Sequence, residues 1–164
     1  YLLLAREQKF GPFKIHGSYA GALGIPQFMP SSYRKHAVDF NNDGETNLFN
    51  DPEDAIGSVA NYFKQYGWQS GEPVAVRVKS NKKAELSAKE THSVATWAEM
   101  GIIPVAQTAD LKSAWLLDFT VSDGKEFWLT FKNFQVIMLY NNNIFYAMSV
   151  YQLADALHNA RILN

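Results

Sequence analysis

The stretch AVDFNNDGETNLFNDPEDAIGSVANYFKQYGW, Ala37 to Trp68, holds the strongest structural signal in the chain. Its second half reads as an amphipathic helix with a complete start signal. Asp51 stands at the N-cap, Pro52 at the first helical position, where a missing N–H costs nothing, and Asp54 at the third. Ala55, Ile56, Val59, Ala60 and Phe63 follow at helical spacing up to Gly67, a residue type that ends helices. The first half is a polar loop, Asp39 to Asp51, dominated by Asp, Asn and Gly44.

Upstream of this stretch, Tyr1-Leu2-Leu3-Leu4-Ala5-Arg6-Glu7 has a helical composition and no Ser, Thr, Asp or Asn ahead of it. The chain is therefore expected to start inside a helix, with further sequence before it. Gly11-Pro12 breaks that pattern, and GSYAGALGIPQFMP (17–30) is a glycine- and proline-rich segment able to pack closely and turn sharply. Ser31-Ser32-Tyr33 restarts a short helix. Downstream, from Pro73, the period changes from 3.6 to 2: Val74, Val76 and Val78 alternate, Ala114 to Thr120 reads as a strand, and Ser122-Asp123-Gly124 turns it into the strand-forming run Phe127 to Phe131. Between these, Ser93 to Met100 suits one short helix closed by Gly101. Asn141-Asn142-Asn143 separates Gln135–Tyr140 from a terminal helix, Phe145 to Leu157, with an apolar stripe of Ala147, Val150, Tyr151, Ala154 and Leu157. The expected fold class is α+β: a helical part over 1–72 containing the loop region 39–54, a β-rich subdomain over 73–134, and 135–164 returning to the helical part.

Composition narrows the function. With 164 residues, 47% of them hydrophobic, the chain can bury a sizeable core. Its 15 basic and 16 acidic residues leave a formal charge of −1, without the electrostatic footprint that nucleic acid requires. The absence of cysteine excludes thiolate zinc sites, iron–sulfur clusters, disulfides and cysteine nucleophiles. His16, His36, His92 and His158 are scattered, none at a zinc spacing, and read as surface or capping residues. Lys79, Lys82 and Lys83 form a small basic cluster in an expected hairpin turn.

The polar loop fits the first half of an EF-hand. Asp39, Asn41 and Asp43 alternate as oxygen donors, Gly44 permits the sharp turn, Glu45 would give its backbone carbonyl, and Asn47 a side chain or a water. Position twelve is Asn50, not the bidentate Glu that completes coordination, so Asp54 is the first candidate for the replacement carboxylate and Asp51 the second. With one bidentate acid fewer, calcium affinity should approach that of extracellular modules, roughly 10⁻⁴ to 10⁻³ M. The competing reading is a solvated Asx-rich turn followed by acids that favour the helix macrodipole. As a metal site, the loop would be structural, since it offers no obvious nucleophile.

Residues 17–33, GSYAGALGIPQFMPSSY, hold Ser18, Gln27 and Tyr33 near an apolar lining of Leu23, Phe28 and Met29. Polar groups beside aromatics suit a sugar cleft, where hydroxyls need hydrogen bonds and ring faces need flat partners. Helix packing through small residues would explain the same spacing. Taken together with 37–68 and LYNNNIFYAMSVYQLADAL (139–157), this segment closely resembles the membrane-bound lytic murein transglycosylase B family of bacterial cell-wall enzymes, with the resemblance running the length of the chain.

That resemblance implies a lysozyme-like, mainly helical lobe with a small β-rich subdomain, acting in the periplasm on peptidoglycan glycan strands, with an outer-membrane anchor on the missing N-terminus left open. Family members cleave the β-1,4 bond between N-acetylmuramic acid and N-acetylglucosamine without water, giving a 1,6-anhydro product. A single Glu protonates the leaving oxygen and then takes the proton of the attacking 6-hydroxyl, which requires a raised pKa. The family's Glu lies upstream of the position matching Tyr1, so no catalytic acid is assigned within this chain, and an upstream segment of the same protein is the expected partner. Glu7 is read as an ordinary helix-surface residue. By the resemblance, Ser18, Gln27 and Asn141 would hydrogen-bond N-acetyl and hydroxyl groups, while Tyr62, Tyr140 and Tyr146 would pack against sugar rings. Ca²⁺ would be held by Asp39, Asn41, Asp43, the Glu45 carbonyl and Asp54. The alternatives are a catalytically silent peptidoglycan-binding module and, more remotely, a regulatory calcium-binding protein.

Overall fold

A computed structural model describes residues 1–80, 90–106, 111 and 113–162; Lys82 and Lys83 of the basic cluster lie outside the described residues. By its internal contacts the chain divides into two compact units, Tyr1–Tyr66 and Gly67–Asn164. With helices in both and one antiparallel sheet in the second, the class is α+β.

The first unit contains α1 (Leu2–Glu7), α2 (Pro30–His36) and α3 (Pro52–Gln65). Helix α3 starts as its sequence dictates: the Asp51 side chain accepts from the backbone N–H groups of Glu53 at 2.8 Å and Asp54 at 3.3 Å, and Pro52 occupies the first turn. Its buried face runs through Asp54, Ala55, Ser58 and Tyr62, whereas Ile56 is 69% exposed and Phe63 only half-buried. The apolar spacing Ile56–Ala60–Phe63 thus misplaces the stripe, because the loop preceding the helix claims the polar Asp54–Ser58 side. Gly57 is required on that side, since a Cβ would collide with the Phe40 ring. Residues 17–28 form a tight two-way bridge in which Leu23 N donates to Phe28 O at 2.8 Å and Phe28 N to Leu23 O at 3.0 Å. Gly24, at φ 67°, lies so close to the Leu48 carbonyl that no side chain fits, and Ile25 N donates to that same carbonyl at 2.8 Å. Leu4, Leu23, Phe28, Tyr33 and Leu48 are all buried in this unit.

The second unit holds β1 (Ala75–Ser80), β2 (Thr91–His92), α4 (Val94–Glu99), β3 (Ile102–Pro104), β4 (Ala114–Val121), β5 (Gly124–Thr130), α5 (Lys132–Tyr140) and α6 (Ile144–Ile162). The strand order is β2-β4-β5-β1-β3, with every pair antiparallel. The β4–β5 hairpin turns at Ser122-Asp123, where Val121 pairs Gly124. Val76, Val78, Leu116, Leu129 and Phe131 bury one side of the sheet with Trp97 of α4, whose indole N–H donates to Ala114 O at 2.9 Å. The buried Asn133 fastens residues 69–72 to α5: its Oδ1 accepts from Gln69 N at 2.8 Å, and its Nδ2 donates to Gln69 O at 2.8 Å and Glu72 O at 2.9 Å. Helix α6 buries Ala147 and Met148, but of its expected stripe Leu157 is 63% exposed.

Candidate functional site

Three of the expected sugar-contacting residues belong to the first unit and are linked through the Leu23–Phe28 bridge. Ser18 sits in the turn before it, exposed, with Oγ accepting from Ala22 N at 3.0 Å. Gln27 lies within the bridge at φ 52°, a left-handed conformation unusual for a residue with a side chain, and its Nε2 donates to Gly24 O at 2.9 Å. Phe28 follows and meets the Tyr62 ring at 5.8 Å between centroids. Tyr62 is enclosed further by Tyr66 at 4.4 Å and His36 at 5.0 Å, and burial, its largest cause, raises the pKa of its phenol. Around these polar groups the segment displays exposed Tyr19, Ile25 and Met29. Sequence reasoning did not single out Tyr19, whose complete exposure follows from the turn geometry at Ser18–Gly21 and not from any periodicity.

The other three flank the α5–α6 turn in the second unit. Asn141 is exposed at the C-cap of α5 and Tyr140 is the last helical residue. Asn143 Oδ1 starts α6 by accepting from Phe145 N at 2.9 Å and Tyr146 N at 3.0 Å, which fixes Tyr146 in the first turn; burial raises its pKa.

The loop 39–54 is tied together by its own oxygens. Asp39 accepts from Asp43 N at 3.1 Å and Gly44 N at 2.9 Å, Asn41 Oδ1 from Asp43 N at 3.0 Å, and Asp43 Oδ1 from Glu45 N at 2.9 Å. Asp54 is fully buried, and both its carboxylate oxygens are engaged, one by Phe40 N and one by Asn47 N, each at 2.8 Å. The backbone bonds from Asn47 and Phe40 hold its pKa below the ordinary carboxylate value. Asp51 is tied to the loop through Oδ2, which accepts from Asn41 Nδ2 at 2.9 Å. Among the described residues no group of three His, Cys, Asp or Glu side chains is arranged to hold a metal by itself; the loop instead mixes carboxylates with amide oxygens, hard donors of the kind calcium takes.

The sequence pattern of the Transglycosylase SLT domain matches residues 1–155. The chain belongs to this transglycosylase family. Membrane-bound lytic murein transglycosylase B of Escherichia coli (strain K12) is 43% identical over 163 residues, 99% of this chain and 45% of that protein. The E. coli lytic transglycosylase Slt35 in complex with calcium matches at a TM-score of 0.88 with 43% identity, over 98% of this chain and 52% of that one. SltB3 from Pseudomonas aeruginosa in complex with NAG-anhNAM-pentapeptide matches at 0.83 with 31% identity, over 94% and 43%. The chain thus spans about half the length of these relatives.

Within this SLT-domain chain Glu7 has no acid-like environment. It is exposed and forms a bidentate pair with Arg34, at 2.6 and 2.9 Å, and that pairing lowers its pKa, opposite to what a proton donor near neutrality needs. The reading of all four histidines as surface or capping residues is corrected at His36, which is 1% exposed, packed against the adjoining rings of Tyr62 and Tyr66, with Nδ1 lacking a hydrogen-bond partner. A helix-terminal His before an extended Ala37-Val38 gives no local sign of burial; the aromatic side chains that enclose it come from α3 and its C-cap, Tyr66.

Proposed function

We propose that this chain is the C-terminal, glycan-binding part of a peptidoglycan lytic transglycosylase, with a lysozyme-like helical lobe. The reaction cleaves the β-1,4 bond between N-acetylmuramic acid and N-acetylglucosamine by closing the muramic 6-hydroxyl onto its own anomeric carbon. The glutamate that serves as acid and then base belongs to a helix upstream of Tyr1. This chain's contribution is to grip and orient glycan: Ser18, Gln27 and Asn141 by hydrogen bonds, Tyr62, Tyr140 and Tyr146 by ring packing with positioned hydroxyls. The observation that carries the reading is the 43% identity to lytic murein transglycosylase B, spread over 163 residues. Support for the ligand comes from the relative solved with NAG-anhNAM-pentapeptide, and the lowered pKa of Glu7 agrees with an acid located elsewhere.

Calcium belongs to the same reading, supported by the relative solved with that ion. Asp39, Asn41, Asp43 and the Glu45 carbonyl would hold it, with Asp51 proposed in the role expected of Asp54: backbone N–H groups hold both Asp54 oxygens, whereas Asp51 Oδ2 accepts only from the Asn41 side chain, which can turn away. The bound ion would join the loop to the start of α3. A periplasmic location follows from the substrate. Among the described residues no helix is long and apolar enough to cross a membrane.

The test is mass spectrometry of muropeptides released from purified sacculi by this chain and by the protein extended upstream. Anhydro-muramyl products from the extended protein alone are expected. Reducing-end products would make it a hydrolase, and no products from either would leave a silent binding module.

A further inference from the structure

We propose that a cavity of about 590 Å³ in the first unit, walled by residues 7–10 and 44–50, is a second binding site that takes the peptide portion of a muropeptide. Its volume falls in the range of small-molecule sites, and none of Ser18, Gln27 or Tyr62 lines it. The site is distinct from the glycan-contacting residues proposed above, and only its ligand class rests on that reading.

The lining has the character of a peptide pocket. Phe49 anchors one apolar surface, meeting Phe10 edge-on at 5.8 Å and the Tyr33 ring at 5.8 Å. Tyr33, almost wholly buried, backs this surface and is immobilised because its hydroxyl donates to Thr46 O at 2.9 Å and accepts from Leu48 N at 3.4 Å, so the ring surface left open is that of Phe10 and Phe49. Asn47 is similarly fixed, with Oδ1 accepting from Phe49 N and Asn50 N, both at 3.1 Å. A preformed apolar floor of this kind accepts a ligand without ordering cost.

The charges around the floor specify more. Glu7 is neutralised by Arg34. Lys9 and Glu45 also line the cavity, and neither takes part in an ion pair among the described residues. Lys9 stands just past the end of α1 at φ 55°, a left-handed conformation at the position after the helix C-cap. A cation and a carboxylate that form no ion pair among the described residues, beside an aromatic floor, match a short zwitterionic peptide that offers a carboxylate to Lys9, an ammonium to Glu45 and aliphatic surface to the rings. Chitotetraose carries neither charge, and a muramic chain without peptide carries only its lactyl carboxylate, with no ammonium for Glu45.

Amide chemical shifts of the ¹⁵N-labelled chain test this with two probes, the tripeptide Ala-Glu-Lys and chitotetraose. The tripeptide should shift the Phe10, Asn47 and Phe49 amides saturably, while chitotetraose leaves them in place. Lys9→Glu and Glu45→Lys, both at exposed positions, should each weaken tripeptide binding by about fivefold or more. A tripeptide that moves none of these amides, or binds both variants as tightly as the parent, overturns the proposal. Failure of chitotetraose to perturb Ser18 and Gln27, with tripeptide binding intact, would instead count against the glycan reading and leave this site standing.

Discussion

The Asp51 carboxylate accepts a hydrogen bond from the Asn41 amide at 2.9 Å, closing the acidic loop across ten residues while its other oxygen caps α3. One side chain therefore starts the helix and faces the loop's donor side. Calcium at about 100 times its Kd should raise stability by about 2.7 kcal/mol. In Asp51→Asn that gain should vanish, while stability without calcium should fall by only about 1 kcal/mol, because Asn still caps the helix but cannot also accept from the Asn41 amide. Thermal melts in chelator and in excess calcium check this. Equal calcium shifts in parent and variant would return the ligand role to Asp54.

Asp54 acts through a different set of bonds, and acid should reveal it. Its folded pKa lies below the ordinary 3.8, chiefly because the Asn47 and Phe40 N–H groups favour the carboxylate. A depressed carboxylate contributes stability that is complete above its unfolded pKa and is lost as pH falls through the folded one. Chelated protein should thus lose stability between about pH 5 and 3, and Asp54→Asn should flatten that part of the profile. The variant should also be less stable at pH 7, since an amide NH₂ would face a backbone donor. Urea midpoints across this range, with a profile unchanged in Asp54→Asn, would exclude the role.

How much of this was legible depended on whether the information is local. The start of α3 was readable because Asp51 and Pro52 act on the next three residues, and the β4–β5 turn because Ser122-Asp123-Gly124 sets its own backbone. The helical stripes were less so: Ile56 and Leu157 keep the right spacing but face solvent, since tertiary partners decide which side is covered. Strand β3, three residues long, exists by pairing with β1 and carries no period to detect. That Asp54 turns inward to accept from the Phe40 and Asn47 N–H groups could not be read either, because those groups reach it only when the loop folds over the start of α3.

Gln27 offers a separation of binding from stability. At φ 52° it occupies a conformation that glycine adopts freely, and its side chain is exposed with one bond, to Gly24 O. Gln27→Gly should leave stability unchanged or raise it by up to about 1 kcal/mol. Chitotetraose affinity should nonetheless fall roughly three- to tenfold, the value of one lost hydrogen bond. Calorimetric titration alongside urea unfolding checks both quantities. Weaker binding together with a destabilised fold would mean that the amide is structural.

His36 should make the first unit sensitive to mild acid. Burial is the main reason its pKa falls below 6.5, with Lys35 adding repulsion and a side-chain bond to Gln65 opposing both. The facing rings of Tyr62 and Tyr66 supply no negative charge to stabilise an imidazolium. For a histidine whose folded pKa is depressed, the unfolded chain takes up the proton first, so stability is complete above the unfolded value and declines as pH drops below it. The loss should begin near pH 6.5, with a slope of at most about 1.4 kcal/mol per pH unit for one proton. His36→Phe retains a ring against Tyr62 but cannot titrate, and should remove that slope between about pH 6.5 and 5. Denaturant midpoints of the two proteins decide the matter: parallel profiles would assign the acid sensitivity to another group, whereas a flat variant profile makes His36 the residue through which protonation loosens the packing around Tyr62.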